Sequence, residues 1–267
     1  MSNNKRKIQM LIIDAQNDFC NPKGSLFVAG ADQDVQRLAN FINRNGNRFG
    51  KINSTLDCHS SVHIAHGIFW VNSKGEHPTP FTVISSNDVR NGVWRCFNPK
   101  WQPRAQAYVD SLAKNGRYLL CIWPAHCLIG SWGNSVVPEV HSALTNWETK
   151  TFNRVNWCTK GSNFMTEHYS GLIADVPDNN DPTTKLDTGL LDILSDADEI
   201  VLAGEALSHC VASTVRDIVK EFGNDNAKKF TLLKDCSSSV NGFEKLGQDF
   251  ISDMSKLGMR LSNSIDW

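Results

Sequence analysis

Short apolar runs that are almost uninterrupted recur along this chain, and they constrain its fold more than any other feature. Tyr118–Trp123 contains LLCIW, and Glu199–Ala203 opens the run EIVLAG. A strand with one face in water alternates polar and apolar residues, whereas a strand buried on both faces need not. Such runs therefore belong in a parallel sheet with helices on both sides. Between them the pattern changes to loops and then to helical periodicity, the alternation of an α/β domain. We expect three α/β/α layers around a six-stranded, mainly parallel sheet.

The expected strands are Lys7–Ile13, Lys51–Leu56, Tyr118–Trp123, Glu148–Phe152, Glu199–Ala203 and Lys229–Leu233. Helices are expected over Ala31–Asn45, ending near Gly46, and over Pro103–Lys114, with Gly116 as its stop. Further helices are expected over Val136–Leu144, Asp187–Ser195, Ser208–Glu221 and Phe243–Leu257. The chain has 267 residues, 40% of them hydrophobic, enough for one full core, and residues 1–267 read as a single domain. The stretch Gly67–Gly116, rich in Pro, Asn, Trp and Gly, is long for a connection. It reads as an insertion or lid over the site, against the alternatives of a peripheral ornament or an oligomer contact.

A formal net charge of −1 gives no long-range attraction to phosphate backbones or anionic membranes, so nucleic-acid and membrane partners are disfavoured. No apolar run approaches the roughly 20 residues of a membrane span. The start MSNNKRKIQMLII is basic and then apolar, but it stops at Asp14 without a small-residue cleavage site. It reads as a buried first strand, not a signal peptide. None of the eight cysteines falls in a C-x-x-C pair, which excludes zinc-ribbon and thioredoxin motifs. Cys58, Cys121, Cys127 and Cys236 lie in or beside apolar runs, as buried free thiols do in a reduced, cytoplasmic setting.

In a parallel sheet the site lies beyond the carboxyl ends of the strands. There the sequence places Asp14, then Asp57 and His59, then His126, then Lys160 and finally Cys210. Cys210, in LAGEALSHCVASTVRDIV, falls in the first turn of its helix. The free N–H groups of that turn favour an anion by about 0.3–1 kcal/mol when exposed and up to ~2 kcal/mol when partly buried. A lowered thiol pKa is expected on that ground. The same groups can hold an oxyanion, each donor being worth about 2.7–4 kcal/mol in a transition state. The competing reading is a structural cysteine packing helix on sheet. Asp14, in IIDAQNDF, is the leading base, since desolvation raises a carboxyl pKa; a simple strand-end turn is its alternative. Lys160, in CTKGSNF, would orient the pair and balance charge, against a solvated surface lysine. His209 is a rival base, ranked lower because neighbours on a helix do not face each other.

In LDCHSSVHIAH, Asp57 and His59 are two apart and in extended chain point to one side. With His126 they make a set for one divalent ion, zinc, iron or manganese. His63 and His66 stand as a fourth ligand, as supporting partners or as substrate contacts. Surface histidines on a loop are the alternative.

The segments IIDAQNDFC, TLDCHSSVH, IWPAHCLIGSWG, KGSNFMTEHYSG and GEALSHCVASTVRD, in this order from about Ile8 to Leu233, resemble the successive motifs of the nicotinamidase and isochorismatase-like cysteine hydrolases. The W-P-x-H-C and D-x-H-x-x-x-H segments resemble the metal-binding nicotinamidase branch. The resemblance implies a triad of Asp14, Lys160 and Cys210, and zinc foremost on Asp57, His59 and His126. It implies an oxyanion hole from the N–H groups of Ala206 and Cys210, with a non-proline cis peptide at Glu205–Ala206. Phe19 and Trp123 match positions that sandwich a pyridine ring, and Tyr169 matches a pocket tyrosine. The implied activity is hydrolysis of nicotinamide to nicotinate and ammonia through a Cys210 thioester; the partners the sequence admits are the small amide substrate and a further copy of the chain in a homo-oligomer. The alternatives are a related amidase acting on a ureido, carbamoyl or hydrazide group, and a metal-binding interaction protein without turnover. Departures fall at the pocket. Cys58 and Ser60 replace an aromatic and a proline, Ala65-His66 replaces Ser-Phe, and Gly130-Ser131-Trp132-Gly133 replaces G-T-P-G, so that Trp132 is expected to reshape the pocket.

Overall fold

The computed structural model describes residues 6–115 and 117–267. Gly116, the expected helix stop, lies outside the described residues. Six strands form the main sheet: β1 (Ile8–Ile13), β2 (Phe49–Asp57), β3 (Asn156–Lys160), β4 (Glu199–Gly204), β5 (Phe230–Leu233) and β6 (Arg260–Ser262). Their spatial order is β3-β2-β1-β4-β5-β6, and every pairing is parallel. The direction of winding reverses between β1 and β4, which opens a crevice at their carboxyl ends.

β1 and β4 are buried at every position, as their unbroken apolar runs require. The buried polar pair in mid-sheet is satisfied internally, with Asn53 Nδ2 donating to Gln9 Oε1 at 3.2 Å. Six helices of eight or more residues accompany the sheet: α1 (Ala31–Asn45), α2 (Gln102–Asn115), α3 (Pro138–Thr151), α4 (Thr188–Ser195), α5 (Ala212–Phe222) and α6 (Glu244–Lys256). Right-handed crossovers in opposite directions from β1 and β4 put α1 on one face and α5 and α6 on the other. α1 buries Val35, Leu38, Ala39, Phe41 and Ile42, one stripe of a 3.6-residue period. It packs on α3, which begins at Pro138 and buries Val140, Ala143, Leu144 and Trp147.

Fold class and strand count agree with expectation, but two sheet members do not. Tyr118–Trp123 is not a strand of the main sheet. Only Leu120–Cys121 pairs, antiparallel, with Val83–Ile84. Glu148–Phe152 is not a strand either, because Trp147 extends the apolar stripe of α3 and carries the helix to Thr151. The places are taken by β3 and β6, the two edges. The helix expected from Ser208 opens with a wide π turn, Leu207–Val211, before α5.

The segment after Gly67 holds that ribbon, a second one (Trp70–Val71 with Arg95–Cys96), a short helix Ser86–Arg90 and α2. It rests on the loop that follows β3. Tyr108 Oη accepts from the Glu167 N–H at 3.1 Å, and Trp101 meets Phe164 edge-on at 5.1 Å. Among the described residues no helix is long and apolar enough to cross a membrane.

Candidate active site

The four central positions of the crevice are filled from adjacent strand ends. Asp14 follows β1, Asp57 closes β2, Lys160 closes β3 and Cys210 lies in the turn after β4. Asp14 leaves the strand in the left-handed region, φ 44°, which turns its carboxylate back across the sheet edge. Thr55 in β2 fixes it from both sides, donating to Asp14 Oδ1 at 2.6 Å and accepting from Asp14 N at 3.1 Å. Lys160 Nζ stands 2.9 Å from Asp14 Oδ2, 3.1 Å from Asp57 Oδ1 and 3.6 Å from Cys210 Sγ. All four residues are buried.

Charge and burial compete in this cluster. Burial raises the Asp14 pKa, partly offset by the Lys160 ammonium. Burial works against the Lys160 charge, yet the Asp14 and Asp57 carboxylates outweigh it and hold the ammonium protonated. Burial also lifts the Cys210 thiol well above its ordinary range, opposed by Lys160 and reinforced by Asp14. The expected lowering of the thiol pKa by its helix turn is therefore corrected. Desolvation shifts of up to 3–5 units, roughly 4–7 kcal/mol, exceed the ~2 kcal/mol of a helix terminus. Cys210 thus rests as a neutral thiol beside a carboxyl group, Asp14, of raised proton affinity.

The turn beyond β4 presents backbone donors. The Glu205–Ala206 peptide is cis, as the sequence resemblance implied. Ala206 O accepts from His209 N at 3.0 Å and Val211 N at 3.1 Å, so the hydrogen bonds pass over Cys210. Ala206 N donates to no protein acceptor among the described residues. His209 is stacked on Tyr118 at 5.2 Å and edge-on to Trp123 and Phe243, and burial pushes its pKa down to about 4. The rival base is thus neutral and occupied with an aromatic cluster. Trp123 Nε1 donates to Tyr169 Oη at 2.9 Å, and Phe19 packs edge-on against His126 at 5.3 Å. Trp132, expected to reshape the pocket, has 51% of its surface exposed.

Asp57, His59 and His126 converge. Asp57 Oδ2 is 3.0 Å from His59 Nε2 and 3.5 Å from His126 Nε2. His59 Nδ1 faces the Gly161 carbonyl at 3.1 Å and His126 Nδ1 the Pro124 carbonyl at 2.8 Å. A carbonyl accepts only, so each Nδ1 carries the proton and each Nε2 keeps a lone pair for an ion. Three converging buried donors of this kind fit a divalent metal. His126 arrives from the loop after the ribbon, and backbone bonds of His59 N to Cys127 O and Ile129 N to His59 O, both 3.0 Å, set its register.

A second group, His59, His63 and Glu167, shares His59 with the first. In this structure both ring nitrogens of His63 have protein partners. Its Nε2 faces Thr166 O at 3.1 Å and its Nδ1 accepts from Ala65 N at 3.2 Å. His66 keeps a buried Nε2 without a partner. Glu167, with Oε1 3.9 Å from His59 Nε2 and Oε2 unpartnered, escaped the sequence reading, although it lies inside the KGSNFMTEHYSG segment. Thr55 also escaped it, since a threonine in a strand carries no signal of its own.

No family model matches the chain. It is 25% identical over 260 residues to a nicotinamidase of Escherichia coli (strain K12), covering 97% of this chain and 95% of that one. It is 23% identical over 206 residues to a nicotinamidase of Saccharomyces cerevisiae, covering 77% and 78%. Among solved structures, the yeast nicotinamidase bound to the inhibitor nicotinaldehyde aligns with a TM-score of 0.65 at 18% identity, over 96% of this chain and 99% of that one. A nicotinamidase/pyrazinamidase of Acinetobacter baumanii aligns at 0.64 and 20% identity, over 98% of both. The pyrazinamidase of Pyrococcus horikoshii in complex with zinc aligns at 0.57 and 17% identity, over 96% and 99%. These structures share the fold described above.

Proposed function

We infer that this chain, a member of the nicotinamidase/isochorismatase-like superfamily and a hydrolase acting on amide C–N bonds, cleaves a small carboxamide, nicotinamide foremost, with Cys210 as nucleophile. The observation that carries the reading is the contact of one buried ammonium, Lys160, with both Asp14 and the Cys210 thiol.

In the proposed cycle Asp14 takes the thiol proton as sulfur attacks the amide carbonyl carbon. The resulting oxyanion is held by the Ala206 and Cys210 N–H groups. The C–N bond then breaks, and Asp14 returns its proton to the departing nitrogen, so that ammonia leaves and a Cys210 thioester remains. Water attacks the thioester with Asp14 again as base. The carboxylic acid is released and the thiol re-forms. Lys160 keeps its proton throughout and offsets the negative charge that passes between Asp14 and sulfur. Phe19, Trp123 and Tyr169 supply the aromatic walls for a planar ring.

Asp57, His59 and His126 would hold the metal, with zinc as first choice. When bound it supplies a Lewis-acid contact for a ring nitrogen of the substrate and for water. The eight unpaired thiols support a reducing compartment, the cytoplasm. Residues 67–116 act in this reading as an insertion over the site within a single domain.

The test is ammonia release from nicotinamide by zinc-loaded protein, with C210A alongside. We expect release from the wild type and a loss of at least about 10³-fold in the mutant. Cys210-dependent alkylation without release from nicotinamide would reject that substrate and keep the cysteine hydrolase, directing attention to ureido, carbamoyl and hydrazide compounds.

A further inference from the structure

One buried acid near the crevice takes no part in the chemistry above. Glu205 directly precedes Ala206, and its side chain is fully buried. Its Oε2 accepts from Ser238 N at 3.0 Å. The Ser238 carbonyl accepts in turn from Leu207 N at 2.8 Å. Ser238 therefore braces the turn on both sides of Ala206, and Glu205 anchors the brace. Neighbouring bonds close the same clamp: Gly204 N to Cys236 O at 2.9 Å, Ser237 Oγ to Gly204 O at 2.7 Å and Val240 N to Ser208 Oγ at 3.1 Å.

Behind Glu205 lies a second carboxylate. Ser238 Oγ donates to Asp34 Oδ2 at 2.5 Å, and Asp34 Oδ1 pairs with Arg37 at the same distance. Arg37 also donates to the Asp235 carbonyl. Asp34 thus has its cation, whereas Glu205 Oε1 is buried without a hydrogen-bond partner among the described residues. Two carboxylates gathered on one serine cannot both carry charge cheaply. Burial, with Asp34 next, pushes the Glu205 pKa well up, and Cys20 on the other side is likewise a neutral group.

We propose that Glu205 is a positioning residue for the proposed reaction, aiming the Ala206 and Cys210 N–H groups at the oxyanion through Ser238. The inference rests on the cysteine-hydrolase reading. It adds to that reading a residue that touches neither substrate nor metal. An oxyanion hole serves the transition state more than the bound substrate, so slackening it lowers kcat and leaves KM nearly in place. Displacements of about 1 Å in such donors cost on the order of 10²-fold in rate.

The experiment compares E205L and E205Q with wild type as zinc-loaded protein, using nicotinamide and, separately, an activated aryl ester. Gln keeps the neutral acceptor for Ser238 N, whereas Leu removes it. We expect E205L to lose about tenfold or more in kcat per folded molecule with KM within about twofold, and E205Q to retain most of the rate. Thermal melting, read in parallel, corrects for the folded fraction. Wild-type kcat in folded E205L, or equal damage in E205L and E205Q, would overturn the inference. A wild type inert on nicotinamide but showing Cys210-dependent esterase activity would reject the substrate alone, and the ester series would then decide the role of Glu205. A wild type inert on both would remove the hydrolase reading and this inference together.

Discussion

At the residue scale the site turns on how one lysine and one threonine condition a carboxylate. Lys160 lowers the proton affinity of Asp14 and burial raises it, with burial prevailing. Thr55 adds a donor to Asp14 Oδ1 that favours the ionised form. Replacing Thr55 by valine keeps the volume and deletes that donor. The Asp14 pKa then rises further, so its basic form is lost at a higher pH on the way down. We expect T55V to move the acid limb of kcat/KM toward alkaline pH and to cut the rate near neutrality by about tenfold, as measured by ammonia release across a pH series. Unchanged limbs would argue that Asp14 is not the base. Residues of this supporting kind were invisible in the sequence. Asp14, Asp57, His59 and Cys210 stood out because each is a reactive type just past an apolar run, whereas Lys160 closes a polar strand and gave a weaker signal. Thr55 and Glu205 lie inside or against such runs, where only a three-dimensional neighbour gives them a task.

At the element scale, the apolar central strands were legible and the edges were not. β1 and β4 read correctly because burial on both faces demands unbroken apolar sequence. β3, Asn156–Lys160, alternates toward solvent and contains Asn, Thr and Lys, and β6 is only three residues long. Short, polar edges protect a sheet from pairing with other chains, and for the same reason they do not announce themselves. Tyr118–Trp123 misled in the opposite sense. Its apolar character serves the insertion ribbon and the aromatic cluster around Trp123 instead of the sheet. The loop that leaves β3 carries its own constraint. Gly161 has φ +83°, and a Cβ there would stand 2.7 Å from Asp57 Oδ1 and 2.8 Å from His59 Cε1. G161A should displace Asp57 and His59, two of the three residues proposed to hold the metal, at once. We expect zinc affinity to fall by about 10–100-fold, the range for disturbed ligand support, as read by competition with a chromogenic chelator. Undiminished affinity would show that these ligands do not hold the ion.

At the scale of the whole molecule, buried acids set how stability depends on pH. Burial, with Glu167 adding to it, raises the Asp175 pKa to about 8. The unfolded carboxyl ionises near its ordinary value, so the folded form holds an extra proton between about pH 4 and 8. Stability is therefore greatest below that window and declines as pH rises through it. Asp175 is only partly shielded, although its Oδ2 is sealed, so the penalty is a fraction of the full linkage, about 1–2 kcal/mol. We expect D175N to melt at nearly the wild-type temperature at pH 5 and above it at pH 8. An equal pH slope in both proteins would remove Asp175 from the account.

The spatial order β3-β2-β1-β4-β5-β6 has a consequence for how such a catalyst comes into being. The proposed base, Asp14, is made early in the chain, the proposed cation, Lys160, past the middle and the proposed nucleophile, Cys210, later still, so neither half of the chain contains all three. Contacts this distant in sequence form slowly, and nothing reactive exists until they have formed. A nascent or clipped chain carries an ordinary, unactivated thiol, and the capacity to cut amides arrives all at once with the completed sheet. Recovery of turnover after denaturation is thus a reporter of whole-chain assembly, with no partial credit for any half.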